Sequence, residues 1–313
     1  MPLAPELVPI LDAMNQGGAL PTDKSPAELR AQMHEVMDTG ILVFAEDPPE
    51  VARIEDYPVP VEGGEITVRV YTPPGTAPFP AHLYIHGGGF WLGTLDQSDV
   101  ACKELCAGAD CVVASVDYRL APEHKFPTAP NDCFAALQWL FMNATELGID
   151  TTRVSVGGAS AGGNLAAVIA LMARDRGGPP LVFQHLEIPA TDMTMSSPSI
   201  TENGEGYLLT KAGMEQCTAF YLDEPADAKH PFASPLLAHD LSGLPPALVV
   251  TCEFDPLRDE GEAYAERLRA AGVPTESIRM EGHIHGSMGF TRLLPSAREY
   301  RARVLETLRR AYG

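Results

Sequence analysis

Arg153-Val154-Ser155-Val156-Gly157-Gly158-Ala159-Ser160-Ala161-Gly162-Gly163-Asn164 is the stretch on which the reading of this chain turns. Its alternating start predicts a strand, its small residues a tight turn, and the following Leu165-Ala166-Ala167-Val168-Ile169-Ala170 a helix. Inside it, Gly158-Ala159-Ser160-Ala161-Gly162 matches G-x-S-x-G, a strand-to-helix turn that strains a serine and exposes its hydroxyl. Glycine flanks such a serine because neighbouring backbones come too close for side chains. The motif alone is weak, since small residues gather in many turns. Here a strand precedes it and a helix follows, as the chemistry requires.

Working outward, the period changes along the chain. Leu7, Ile10, Leu11 and Met14 recur at helical spacing, and Ser25-Pro26-Ala27-Glu28 reads as a capping box opening a helix through Met33 and Met37. From about residue 53 the period is two. Ile66 to Tyr71 and Ala81 to Ile85 predict strands, as do Val112 to Asp117, 153–157, Val182 to Ile188, Ala247 to Cys252 and Glu276 to Met280. Helices are expected near 97–109, over Asp132 to Met142, around Thr210 to Tyr221, over 259–271 and from Ser296 onward. Strands separated by helices predict an α/β fold with a mainly parallel sheet covered on both faces. Thr191 to about Pro231 is too long for an ordinary connection and predicts a lid or functional insertion.

Composition narrows the function. The chain has 313 residues, 45% hydrophobic and 20% charged, which fits a soluble globular protein with a sizeable core. Its formal net charge is −20, with five lysines among 22 basic residues, so no nucleic-acid partner and no anionic membrane surface is expected. Met1-Pro2-Leu3-Ala4-Pro5-Glu6 lacks the features of a signal peptide, and no apolar run is long enough to span a membrane. The six cysteines form no C-x-x-C pair, and Cys102 and Cys106, one helical turn apart, read as a buried helix face. A cytoplasmic setting with reduced thiols follows as the expectation.

A serine hydroxyl needs a base, and the base needs a third group to orient it. After Ser160, the strand ending at Cys252 leads into Glu253-Phe254-Asp255-Pro256-Leu257-Arg258-Asp259, which offers three carboxylates where sheet enzymes gather their sites. The strand ending at Met280 leads into Glu281-Gly282-His283-Ile284-His285-Gly286-Ser287. Of the two histidines, His285, followed by glycine, is favoured as the base. Read as a metal pair they lack a third ligand at suitable spacing. His86-Gly87-Gly88-Gly89 follows a strand directly, and its backbone N–H groups could approach a substrate oxygen. The N–H of Ala161 adds another donor, and each donor of this kind lowers the barrier by about 3 kcal/mol. A phosphate cradle would need a G-K-[ST] ending, which this loop lacks.

Taken together, His86 to Phe90, Asp117-Tyr118-Arg119-Leu120-Ala121-Pro122-Glu123, the elbow, Ser234-Pro235-Leu236, Leu244-Pro245-Pro246 and Asp255-Pro256-Leu257-Arg258-Asp259 resemble the bacterial hormone-sensitive-lipase-like (family IV) esterases of the α/β-hydrolase superfamily. The resemblance covers about 55–313 and implies an eight-stranded, mostly parallel sheet flanked by helices. It also implies a helical cap in two parts, 1–50 and 191–231, around a catalytic core of 51–190 and 232–313. It implies a triad of Ser160, Asp255 and His285, an oxyanion hole of Gly88, Gly89 and Ala161, and His86 as support for the glycine loop. Arg119 and Glu123 would pair beneath the site. The implied activity is hydrolysis of a small carboxylic ester by water with no metal or organic cofactor. Lactone or amide hydrolysis is an alternative on the same site, and a non-catalytic small-molecule binder on this scaffold is the alternative of another class. A homodimer is an open alternative to a monomer. Two departures from the family pattern stand out: Ala159, where relatives carry an acidic residue or threonine, and Ser287, where His-Gly-Phe is usual.

Overall fold

A computed structural model describes residues 2–15 and 24–313. Eight strands form one sheet: β1 (Arg53–Val61), β2 (Gly64–Thr72), β3 (Phe79–Ile85), β4 (Val112–Asp117), β5 (Ile149–Ala159), β6 (Phe183–Glu187), β7 (Ala247–Phe254) and β8 (Thr275–Ile284). Their order is β1-β2-β4-β3-β5-β6-β7-β8. Only the β1–β2 and β2–β4 pairs are antiparallel; every pair from β4 through β8 is parallel.

The helices are α1 (Val8–Asn15), α2 (Pro26–Val36), α3 (Asp99–Ala109), α4 (Thr128–Met142), α5 (Ala144–Leu147), α6 (Ala161–Asp175), α7 (Ser199–Glu202), α8 (Lys211–Tyr221), α9 (Arg258–Ala270) and α10 (Pro295–Tyr312). Strand alternation sorts side chains between the two faces. Ala247 and Val249 of β7 join Leu137, Leu165, Ile169, Tyr264 and Leu268 of α4, α6 and α9 on one face. Leu248, Val250 and Cys252 of the same strand join Leu105, Cys106, Val304 and Leu308 of α3 and α10 on the other. Cys102 and Cys106 are fully buried there.

Before the sheet, Leu7 and Leu11 pack against Ile284, the last residue of β8, and against Phe290 and Leu294 beyond it, while the side chain of Met14 lies outside the described residues. The capping box at Ser25 forms as expected: Glu28 N–H donates to the Ser25 hydroxyl, and the Glu28 carboxylate accepts from the Ser25 N–H. Two boundaries differ from expectation. Helix α4 begins at Thr128 rather than Asp132, because Pro130 sits within its first turn, where the missing N–H is no loss. Strand β5 extends to Ile149 and Ala159, since pairing with β3 and β6 carries the glycines along.

Candidate active site

Ser160 sits where β5 turns into α6, with φ 57° and ψ −117°. A non-glycine residue held there costs about 1–3 kcal/mol, so its surroundings must over-determine it. They do: Ser160 N–H donates to the Glu187 carbonyl at 2.8 Å, and its carbonyl accepts from Asn164 N–H at 3.0 Å. A Cβ at Gly158 or Gly162 would run into the Ile85 carbonyl, which explains the small residues of the elbow.

His285 follows β8, and its Nε2 lies 3.1 Å from Ser160 Oγ. Its Nδ1 lies 2.8 Å from Oδ2 of Asp255, just past β7. Asp255 is fully buried, and its Oδ1 accepts the Leu257 N–H at 2.9 Å. The rival carboxylates are engaged elsewhere. Glu253 accepts from Gly282 N–H at 2.7 Å, and Asp259 accepts from Ser199 N–H at 2.9 Å and pairs with Arg258 at 2.8 Å.

His283 does not reach the serine. Its Nδ1 lies 2.9 Å from Ser287 Oγ and its Nε2 2.8 Å from Ser296 Oγ. Burial pushes its imidazole below the usual histidine range. Ser287, the departure from the family pattern, is thus the partner of this second histidine.

The glycine loop follows β3. His86 stacks on Tyr118 with ring centroids 4.3 Å apart, and its Nδ1–H donates to the Gly87 carbonyl at 2.7 Å. Tyr118 OH donates to the His86 carbonyl at 3.2 Å. Burial lowers the His86 pKa to about 4, so this ring stays neutral and props the loop. Among the described residues the N–H groups of Gly88, Gly89 and Ala161 donate to no protein acceptor. All three residues line one cavity of about 300 Å³ with Ser160 and His285. The other walls are mostly apolar and include Met37, Leu208, Leu209, Met214 and Cys217, from the segments before and between the sheet strands.

Arg119 does not pair with Glu123. Its guanidinium grips the buried Asp132 at 2.7 and 2.9 Å, whereas Glu123 takes Arg30 of α2 at 2.6 Å. Arg119 and Glu123 of the Asp117–Glu123 motif therefore point to different elements. Sequence reading also left unassigned the Glu187 carbonyl that fixes Ser160 and Asn203, whose Nδ2–H donates to the Asp255 carbonyl at 3.2 Å. Backbone acceptors carry no side-chain signal, and Asn203 has none that separates it from an ordinary loop residue. Among the described residues no three His, Cys, Asp or Glu side chains converge as metal ligands, and no helix is long and apolar enough to cross a membrane.

A serine on a strained strand-to-helix turn, at the C-terminal edge of a mostly parallel eight-stranded sheet, defines the class. Residues 82–289 match the alpha/beta hydrolase fold family, and the chain belongs to it. It is 46% identical over 272 residues to the carboxylesterase NlhH of Mycobacterium tuberculosis, spanning 84% of this chain and 85% of that protein. It is 38% identical over 294 residues to the arylesterase of Saccharolobus solfataricus, spanning 93% and 94%. The solved structure of the hyperthermophilic esterase from Pyrobaculum calidifontis superposes with a TM-score of 0.93 at 42% identity, covering 99% of both chains.

Proposed function

We propose that this chain is a serine carboxylesterase acting on short- to medium-chain acyl or aryl esters. Ser160 Oγ attacks the acyl carbon while His285 Nε2 takes its proton. Asp255 holds the imidazole with Nδ1–H toward it and stabilises the imidazolium that forms. The N–H groups of Gly88, Gly89 and Ala161 receive the negative oxygen, then His285 returns the proton to the leaving alcohol. Water, deprotonated by His285, attacks the acyl-enzyme; the C–Oγ bond breaks, Ser160 Oγ takes the proton back from His285, and a carboxylic acid leaves. His86 acts on the loop and not on the substrate.

The observation that carries this reading is the unbroken hydrogen-bonded chain Ser160–His285–Asp255, open to an apolar cavity. A cavity of about 300 Å³ lies at the small end for ligand sites, which supports modest acyl groups. Residues 1–50 and 191–231 serve as the cap, since Met37, Leu208, Leu209, Met214 and Cys217 line that cavity. Six free cysteines, five of them buried, support a reducing, cytoplasmic setting. The relatives named as esterases point the same way.

The test is Ser160→Ala with p-nitrophenyl acetate and butyrate and with a fluorophosphonate label. Hydrolysis should fall by about 10⁴-fold or more and labelling should vanish. Wild-type turnover in the mutant would refute the assignment.

A further inference from the structure

Helix α8 touches three successive residues of the glycine loop, Gly89, Phe90 and Trp91, and the middle one has a strained backbone. Phe90 holds φ 67° although it carries a bulky side chain. Left-handed backbone costs such a residue about 1–2 kcal/mol, so something must hold it there. Backbone bonds hold part of the loop: Ala121 N–H donates to the Phe90 carbonyl at 2.9 Å, and Leu92 N–H donates to the Gly88 carbonyl at 2.9 Å. Rings of α8 hold it as well. The Tyr221 ring lies parallel to that of Phe90, centroids 3.7 Å apart and planes 5° apart. One turn earlier, Cys217 sulfur sits so close over Gly89 that a Cβ there would collide with it. The same sulfur accepts Trp91 Nε1–H at 3.3 Å, and Phe220 meets the Trp91 ring edge-on at 5.2 Å. Positions 217, 220 and 221 share one face of a helix.

Tyr221 is fully buried, yet its hydroxyl has no hydrogen-bond partner. The residue therefore works through its ring. Phe126 pins that ring edge-on at 5.7 Å, and Phe126 N–H donates to the Tyr221 carbonyl at 2.8 Å, which fixes the end of α8 to the core.

We propose that Tyr221 is a positioning residue for the oxyanion hole: its ring holds Phe90 in the left-handed conformation that aims the Gly88 and Gly89 N–H groups at the cavity. This rests on the ester-hydrolase reading above. It makes the helix that walls the substrate cavity also a part that assembles the donors, so the hole forms only with α8 docked. Removing the ring lets Phe90 relax and turns the donors away while leaving Ser160, His285 and Asp255 in place.

The experiment compares Tyr221→Phe with Tyr221→Leu on p-nitrophenyl butyrate. It also measures inhibition by a trifluoromethyl ketone and by the methyl ketone of the same carbon chain. Ser160 Oγ adds to the fluorinated carbonyl with its proton passing to His285, which leaves a tetrahedral alkoxide in the hole; the methyl ketone binds without that charge. Tyr221→Phe should stay within about twofold of wild type, because the lost hydroxyl bonds nothing. Tyr221→Leu should lose about 100-fold or more in kcat with KM little changed, at least the size of one lost oxyanion donor. Its affinity for the trifluoromethyl ketone should fall by a similar factor, and that for the methyl ketone by less than about threefold. Retained kcat in Tyr221→Leu, or equal losses for both ketones, overturns the proposal. If the leucine variant does not fold, Tyr221→Met carries the same comparison with a flexible chain of similar volume. A wild-type protein inactive on the ester would instead sink the esterase reading, which keeps the two failures apart.

Discussion

The Ser287 hydroxyl accepts from His283 Nδ1–H and from Ile284 N–H, and donates to the Ile284 carbonyl. Its hydrogen-bonding capacity is fully used, one donor and two acceptors. The neighbouring imidazole is then held with its proton on Nδ1, and Nε2 accepts from the Ser296 hydroxyl. This small network anchors the strap that carries His285. Ser287→Ala leaves buried partners unsatisfied, so urea unfolding should show a loss of about 1–3 kcal/mol. The two histidines should separate cleanly in kinetics. His285→Ala should lower kcat by about 1,000-fold or more, while His283→Ala lowers the urea midpoint and leaves kcat within about tenfold. Equal large losses in kcat, or a greater loss at 283, would reverse the assignment. Residue types and their order were legible here, because elbow chemistry is local: glycines beside Ser160 announce its strained turn. Partners were not. Ser287 is four residues from His283, but Ser160 is 125 and Asp255 30 residues from His285, and only the sheet brings them together.

At the scale of elements, α2 shows what a sequence can and cannot give. Its start was readable because the capping box is written in four consecutive residues. Its attachment was not. Only Leu29 of the helix is buried, too little apolar surface to dock eleven residues. Arg30 supplies most of the polar attachment, donating from Nε to the Trp91 carbonyl at 2.7 Å and from Nη2 to the Ala121 carbonyl at 2.7 Å, and pairing with Glu123; His34 adds one bond by accepting Gly93 N–H at 3.2 Å, and Met33 packs against the core. The partners of Arg30 lie 61 to 93 residues away, so no spacing rule could name them. The same guanidinium corrects the expected Arg119–Glu123 pair, because Glu123 pairs with Arg30 of α2 and α4 offers Asp132 to Arg119. Arg30→Met should therefore detach α2 before it unfolds the sheet. Limited proteolysis checks this: cleavage within residues 1–50 should speed up by about tenfold or more while the core stays intact. Unchanged cleavage would mean that Leu29 and the flanking segments hold the helix on their own.

Across the whole molecule, the strand and helix order followed from period and breakers, and the edge geometry followed from strand pairing. The polar layer under the sheet did not, because alternation predicts apolar residues at those positions. His82 of β3 is completely buried, its Nδ1 2.8 Å from Ser155 Oγ of β5, which in turn lies 2.6 Å from the Tyr312 hydroxyl of α10. The ring of His185 on β6 lies 6.3 Å away. Burial, reinforced by His185, lowers the His82 pKa to about 3, so the fold requires this imidazole neutral. The unfolded chain protonates it near pH 6.5. Neutral His82 is thus no burden above pH 6.5, and below it the unfolded state gains a proton that the folded state refuses. Stability falls as pH drops from about 6.5 toward 3, by about 1.4 kcal/mol per pH unit for one such group. Carboxylates such as the half-buried Glu104 and the buried Glu260, whose pKa values desolvation raises, act with the opposite sign, so the total slope is not diagnostic. A difference is. Urea unfolding of wild type and His82→Gln at pH 5, 6, 7 and 8 cancels the shared carboxylates. The stability gap between them should be constant from pH 7 to 8 and shift toward the variant by about 2 kcal/mol at pH 5. A gap that does not change with pH would mean that His82 keeps its ordinary proton affinity inside the fold, and that the layer joining β3, β5 and α10 is open to water.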